Sequence, residues 1–167
     1  MDYALQPETS YVGFSVDFDT QDISGHFPII TADLTLDFDT VARSTIDVTL
    51  DAQHATANFP FAAEALKGAN VLDARHHPTI HFASTKVLSH GSGALVQGNL
   101  TMRGVTRPIT LHASIFRQKG HDTGDLSHLT VHLQGSLRRS AFGATGFADA
   151  VGDEVRLDIR ARIKLLQ

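Results

Sequence analysis

Asn99-Leu-Thr-Met-Arg-Gly-Val-Thr-Arg-Pro-Ile-Thr-Leu111 sets Leu100 and Met102 before a glycine and Ile109 and Leu111 after a proline. Successive side chains of a strand point to opposite faces, so the segment reads as a β-hairpin with one apolar face. Gly104 and Pro108 are turn formers and are expected to set its register. A slip of one residue would turn Thr101 inward in place of Met102.

The same period of two runs through the rest of the chain. Val12, Phe14, Val16 and Phe18 alternate with small or polar residues, and Leu34, Leu36 and Phe38 interleave with Asp33, Thr35, Asp37 and Asp39. Ile46, Val48 and Leu50 alternate with Asp47, Thr49 and Asp51; Ile80 and Phe82, Val96 to Met102, Ile109 to Ile115, and Leu129 to Leu133 follow. Val155 to Leu165 closes the series with one apolar and one charged face. About eight strands are expected, joined by short turns such as His90-Gly-Ser-Gly93 and Lys119-Gly-His-Asp-Thr-Gly124, which implies antiparallel neighbours. A sheet of this kind packs on a second sheet or closes on itself, and an eight-stranded closed barrel is just wide enough to be filled or to hold one small ligand.

One stretch breaks the alternation. Phe59-Pro-Phe-Ala-Ala-Glu-Ala-Leu-Lys-Gly68 is Ala-rich, has Pro60 suited to a first helical turn and ends in glycine, so a short helix is expected. Ala69 to Arg75 would add a turn, stopping before His76-His77-Pro78 because the residue preceding proline disfavours the helical region. This insert, near residues 59–75, would cap one mouth of a barrel. Ser140 to Asp149 is a second irregular stretch, before the last strand.

Composition narrows the function. The 167 residues suit a single domain, and 42% hydrophobic with 19% charged residues is ordinary for a globular chain. A formal net charge of −4 offers no basic field for nucleic-acid phosphates, so no nucleic-acid partner is expected. No segment approaches transmembrane length and Met1 to Pro7 lacks a signal-peptide pattern. The chain as written reads as cytoplasmic, or as periplasmic if a signal peptide was removed. With no cysteine, thiolate catalysis and Cys-rich zinc sites are excluded. Ten histidines raise a metal hypothesis, above all His76, His77 and His81, and His112 with His132 on strands read as neighbours. No His-Glu-x-x-His spacing accompanies them, so no metal ligand is assigned. Asp33, Asp37, Asp39, Asp47 and Asp51 read as an acidic solvent face of two adjacent strands. No Gly-x-Ser-x-Gly elbow occurs, and Ser84-Thr85 lies in a strand without an identifiable base, so no catalytic residue is assigned.

The inward residues expected to matter are Phe14, Val16, Leu34, Leu36, Leu50, Phe82, Leu100, Met102, Leu111, Ile115 and Leu133. Periodicity alone leaves two readings open for them, a packed core or the wall of an apolar cavity.

Three motifs carry a family resemblance: Leu66-Lys-Gly-Ala-Asn-Val-Leu-Asp-Ala-Arg-His-His-Pro-Thr-Ile-His-Phe-Ala-Ser-Thr85, the hairpin from Gly98 to Leu111, and Arg139-Ser-Ala-Phe-Gly143. Over nearly the whole length the chain resembles the YceI-like family of lipocalin-like barrels. It departs at Thr9-Ser10, where the family often has His-Ser, at Ala141 in place of Asp, and at Val71 and Leu72 in place of two phenylalanines. The resemblance implies a single YceI-like lipid-binding barrel over residues 1–167, all-β, eight-stranded and antiparallel. It also implies a cavity lined by the residues above and a non-enzymatic role in sequestering or carrying an amphiphilic lipid. No cofactor is required; a bound polyisoprenoid, ubiquinone-like or fatty-acid-like lipid is the ligand the resemblance allows, and a homo-oligomer, if one forms, is expected to be a dimer. The alternatives are an enzyme acting on an isoprenoid-type lipid and a filled barrel serving as an interaction module.

Overall fold

The structure, a computed structural model, describes residues 1–59, 61–117 and 124–166. Its strands are β1 (Asp2–Leu5), β2 (Tyr11–Phe18), β3 (Gln21–His26), β4 (Ile29–Thr35), β5 (Thr45–Asp51), β6 (Thr56–Ala57), β7 (Thr79–His90), β8 (Gly93–Met102), β9 (Val105–Arg117), β10 (His128–Arg138) and β11 (Val151–Leu165). A single short helix, α1 (Ala62–Lys67), lies between β6 and β7 among the described residues.

These strands make a closed barrel of eight antiparallel staves, because three staves are each built from two segments. β1 and β2 lie end to end along β11, with Leu5 opposite Ile163 and Tyr11 opposite Arg160, separated by the turn Pro7–Thr9. β3 and β4 form the second stave and β5 and β6 the third, as Gly25 pairs with Ala57 and Leu34 with Ile46. From there β7 to β11 follow in chain order, each on its predecessor, and β11 returns to β1 and β2. Closure gives every stave a paired neighbour on each side, although residues 105–111 of β9 and 84–90 of β7 run beyond the partner on one side.

The opening hairpin has the expected register. Met102 faces Val105 and Thr101 faces Thr106, with Arg103 (φ 57°) and Gly104 (φ 72°) as the two turn residues. A two-residue turn of this hand needs positive φ at both positions, which glycine supplies freely and arginine at a cost. Pro108 is not part of this turn: it lies inside β9 opposite Asn99, where β10 does not pair, since the β9–β10 ladder runs over 112–117. A proline with no ladder partner on its outer side sacrifices no hydrogen bond there.

The remaining differences follow from hydrogen bonding. The strand expected through Phe38 ends at Thr35, because the Asp37 carboxylate turns the chain by accepting the backbone N–H groups of Asp39 (2.9 Å) and Thr40 (2.8 Å). Asp51 does the same for Gln53 and His54. Of the five acids assigned to a solvent face, Asp37 and Asp39 therefore belong to a loop. Asp33 and Asp47 do sit opposite each other on β4 and β5, and His81 Nε2 is hydrogen-bonded to the Asp47 carboxylate at 2.9 Å. The insert is less helical than expected: α1 spans Ala62–Lys67, and residues 69–76 form turns closed by the Asp73 carbonyl, which accepts the His76 and His77 N–H groups. Pro60 and most of the turn expected at Lys119–Gly124 lie outside the described residues.

Candidate functional site

The inward faces of the staves enclose a cavity of about 450 Å³, within the range typical of small-molecule pockets. Ten of the eleven expected residues line it: Phe14 and Val16 from β2, Leu34 from β4, Leu36 just beyond it, Leu50 from β5, Phe82 from β7, Leu100 and Met102 from β8, Leu111 from β9 and Leu133 from β10. Ile115 does not. It lies on the same face of β9 as Leu111 but further along, opposite Val131, half-buried against the core.

A packed region closes one end of the barrel. Leu129 is wholly buried there, Ile163 is wholly buried where the cavity meets this end, and Tyr3 donates its hydroxyl to the Leu126 carbonyl (2.8 Å) while its ring meets Phe38 edge-on at 6.3 Å. The opposite end carries the β2–β3 and β8–β9 turns, the α1 insert and the segment between β10 and β11. The last two are tied together by the Gly146 N–H, which donates to the Asn70 carbonyl (2.8 Å), and the β8–β9 turn is tied to the insert by Arg103 Nη2, which donates to the Ala69 carbonyl (2.7 Å). Phe59, Leu66, Val71 and Leu72 from the insert line the cavity at this end. Phe61 and Phe147 line it too, yet are 86% and 52% exposed, both at positive φ (67° and 61°). Two bulky aromatic residues held in a backbone region that disfavours them, with their rings in water, form an apolar rim continuous with the interior.

Among the described residues only Arg139 and Arg160 bring charge to this lining. Arg160 is exposed, whereas Arg139 is 7% exposed, the one buried charged side chain described. Its Nε donates to the Gly152 carbonyl (2.9 Å), Nη1 to those of Ala144 (2.8 Å) and Gly146 (2.6 Å), and Nη2 to that of Val151 (2.9 Å). The guanidinium thus gathers the whole β10–β11 connection around itself. Arg139 stands within the Arg139–Gly143 motif, but neither its role nor the rim follows from strand periodicity.

The neighbouring Asp153 fastens the start of the same connection. It accepts hydrogen bonds from the Ser140 hydroxyl (2.7 Å), the Ser140 N–H (2.9 Å) and Arg138 Nε (3.2 Å). These, the Ser140 hydroxyl foremost, hold its carboxyl below the ordinary aspartate value of 3.8. A carboxyl depressed on folding makes the unfolded chain bind more protons in that window, so its stabilisation is complete above the unfolded value and is lost as pH falls through the folded one. Melting temperature measured against pH should therefore fall below about pH 4 in the native chain. Asp153→Asn should start lower at neutral pH and show a flatter acid limb.

The other polar candidates have structural partners. His76 pairs with Asp73 (2.9 Å), His132 with Asp158 (2.6 Å), and His112 packs edge-on against His90 at 6.1 Å. His112 and His132 do lie on adjacent strands, β9 and β10. Among the described residues, no three metal-binding side chains converge. Ser84 Oγ accepts the Ile46 N–H (2.9 Å), which bridges β5 to β7 beside a bulge. No helix among the described residues is long and apolar enough to cross a membrane.

Comparison with known proteins agrees with this geometry. BcnA of Burkholderia cenocepacia superposes with a TM-score of 0.85 over 95% of this chain and 99% of that one, at 19% identity. The YCEI protein of Campylobacter jejuni does so with a TM-score of 0.70 over 93% and 85%, at 21% identity. At such identities the likeness is one of fold. A UPF0312 protein of Vibrio vulnificus is 33% identical over 64% of this chain, and the chain spans about half (53%) of that relative's length. A UPF0312 protein of Enterobacter is 30% identical over 81% of this chain and 70% of the relative. The YceI-like domain model matches residues 3–163, and the chain belongs to the YceI-like family.

Proposed function

We propose that this barrel binds a long amphiphilic lipid, a polyisoprenoid, an isoprenoid quinone or a fatty-acid-like molecule, and sequesters or carries it without chemical change. The observation that supports this reading is the continuous apolar cavity of about 450 Å³, which ends at a packed plug on one side and at an apolar rim on the other. Burying apolar surface contributes roughly 25 cal/mol per Å², so a chain threaded along such walls is held without any specific contact. Phe61 and Phe147 extend the apolar lining to the surface, where a tail enters without first crossing a polar mouth. The residues best suited to chemistry, Ser84, His81 and His132, each serve a strand or an ion pair outside the cavity.

Organic extraction of the purified protein followed by mass spectrometry tests the proposal. A lipid bound in near-stoichiometric amount is expected. Protein that arrives lipid-free and takes up neither a polyprenyl nor a fatty-acid probe would overturn it, and a bound lipid that changes mass during incubation would favour an enzyme.

A further inference from the structure

We infer that Arg139 is a head-group site and that the lipid this barrel takes carries an acidic head, a carboxylate or a phosphate, seated at the insert end with its tail toward the plug. The inference rests on the lipid-binding reading and narrows it.

Three observations carry it. First, Arg139 is buried and lines the cavity, although loop anchoring alone requires no place on the lumen wall. Second, its four partners are all backbone carbonyls. Carbonyl dipoles solvate a guanidinium but leave its full charge uncompensated, and the ion pairs among the described residues that involve arginine use Arg138 and Arg156 instead. Asp153, the nearest acid in sequence, is committed to Ser140 and Arg138. A buried charge without a counter-charge is unfavourable, and an anion supplied by a ligand removes that deficit. Third, a guanidinium has five N–H donors and these contacts use four, which leaves one on Nη2 for an incoming oxygen. A charge-assisted bond from arginine to a carboxylate or phosphate is the strong form of that contact. The wholly buried Leu129 and Ile163 at the far end offer a head group nothing, which fixes the direction of the tail.

The test uses three probes with one tail: hexadecanoic acid, hexadecyl phosphate and hexadecanol, each titrated into delipidated native protein near neutral pH against a fluorescent neutral long-chain probe. The acid, the phosphate or both should bind about tenfold to a hundredfold more tightly than the alcohol. Whichever of the two is preferred identifies the head. For the carboxylate the preference should vanish as pH falls below about 4, where the probe itself is protonated. Arg139→Met should lose the preference for the acids over the alcohol, read as the ratio of affinities within that variant because the connection Arg139 anchors also shapes the cavity wall. Should that variant fail to fold by circular dichroism, the side-chain N–H resonances of Arg139 in the native protein decide: they should shift on adding the acid and stay in place on adding the alcohol, and no shift with the acid overturns the role of Arg139. Equal or tighter binding of the alcohol by native protein overturns the head-group assignment and leaves the lipid-binding reading standing. A preference that survives in folded Arg139→Met overturns the role of Arg139. Failure of all three probes to bind overturns this inference, and the lipid-binding reading falls with it when a polyprenyl probe also fails to bind.

Discussion

Met102→Lys is expected to abolish lipid uptake, with a drop in stability, whereas Thr101→Lys one residue away is expected to leave both almost unchanged. Met102 lines the cavity and is 7% exposed, so a lysine there places an ammonium among apolar walls at the end where Arg139 already contributes a buried positive charge. An uncompensated buried charge costs about 3–5 kcal/mol, which for a chain of this size lowers the melting temperature by roughly 6–20 °C. Thr101 sits on the outer face, hydroxyl to hydroxyl with Thr106 at 2.8 Å, and its loss should stay within about 0.5 kcal/mol. Probe uptake and thermal melting measured on both variants give distinct outcomes. A Met102→Lys protein that stays folded but takes up no lipid shows that the hairpin encloses a ligand. One that merely unfolds shows that the residue serves packing, and damage at Thr101 instead would contradict the register Thr101–Thr106 and Met102–Val105.

The features legible in the sequence were those written as alternation. Apolar residues alternate over most of β2, β4, β5 and β7 to β11, so these strands, their antiparallel pairing and ten inward-facing residues could be read directly from the chain, though not whether those residues line a cavity or fill a core. β3 could not, because Gln21-Asp-Ile-Ser-Gly-His26 offers only Ile23 to the cavity, and its place is dictated by the hairpin with β2 rather than by its own pattern. Phe38 followed the alternation of Leu34 and Leu36 yet lies beyond the strand, since a carboxylate two residues from a backbone N–H competes with the ladder and wins at Asp37. The same limit hid the chemically interesting end of the site. Phe61, Phe147 and Arg139 owe their positions to loop conformation, two left-handed backbones and a ring of carbonyls, and an arginine in a loop carries no periodic sign of being buried. Charge inside the cavity was therefore the least legible property of the molecule.

Gly98, at the start of the hairpin, is expected to be intolerant of even one added carbon. It is buried on the inner face of β8, where the Phe82 ring from β7 lies across it; a Cβ there would stand 2.5 Å from Phe82 Cζ and 2.6 Å from the Ala83 carbonyl oxygen. Two different things must then give way. The ring can swing, but only into the cavity it lines, which takes volume from the ligand; the carbonyl belongs to the strand paired with β8 and moves only with the β7–β8 ladder. Overpacking of this kind costs about 1–3 kcal/mol, and backbone displacement places Gly98→Ala at the upper end. Lipid affinity should fall with stability, because the ring's new position obstructs the lumen. Phe82→Leu alone enlarges the cavity and should lower stability by about 1 kcal/mol through lost packing. Combined, the two changes should be less harmful than their sum, since the shorter side chain vacates the space the new methyl needs, and the double-mutant cycle measures that relief. The carbonyl clash remains in the double variant, so recovery should be partial. Full recovery would mean that the ring alone excludes a side chain at Gly98, and strict additivity would mean that Phe82 does not lie across it.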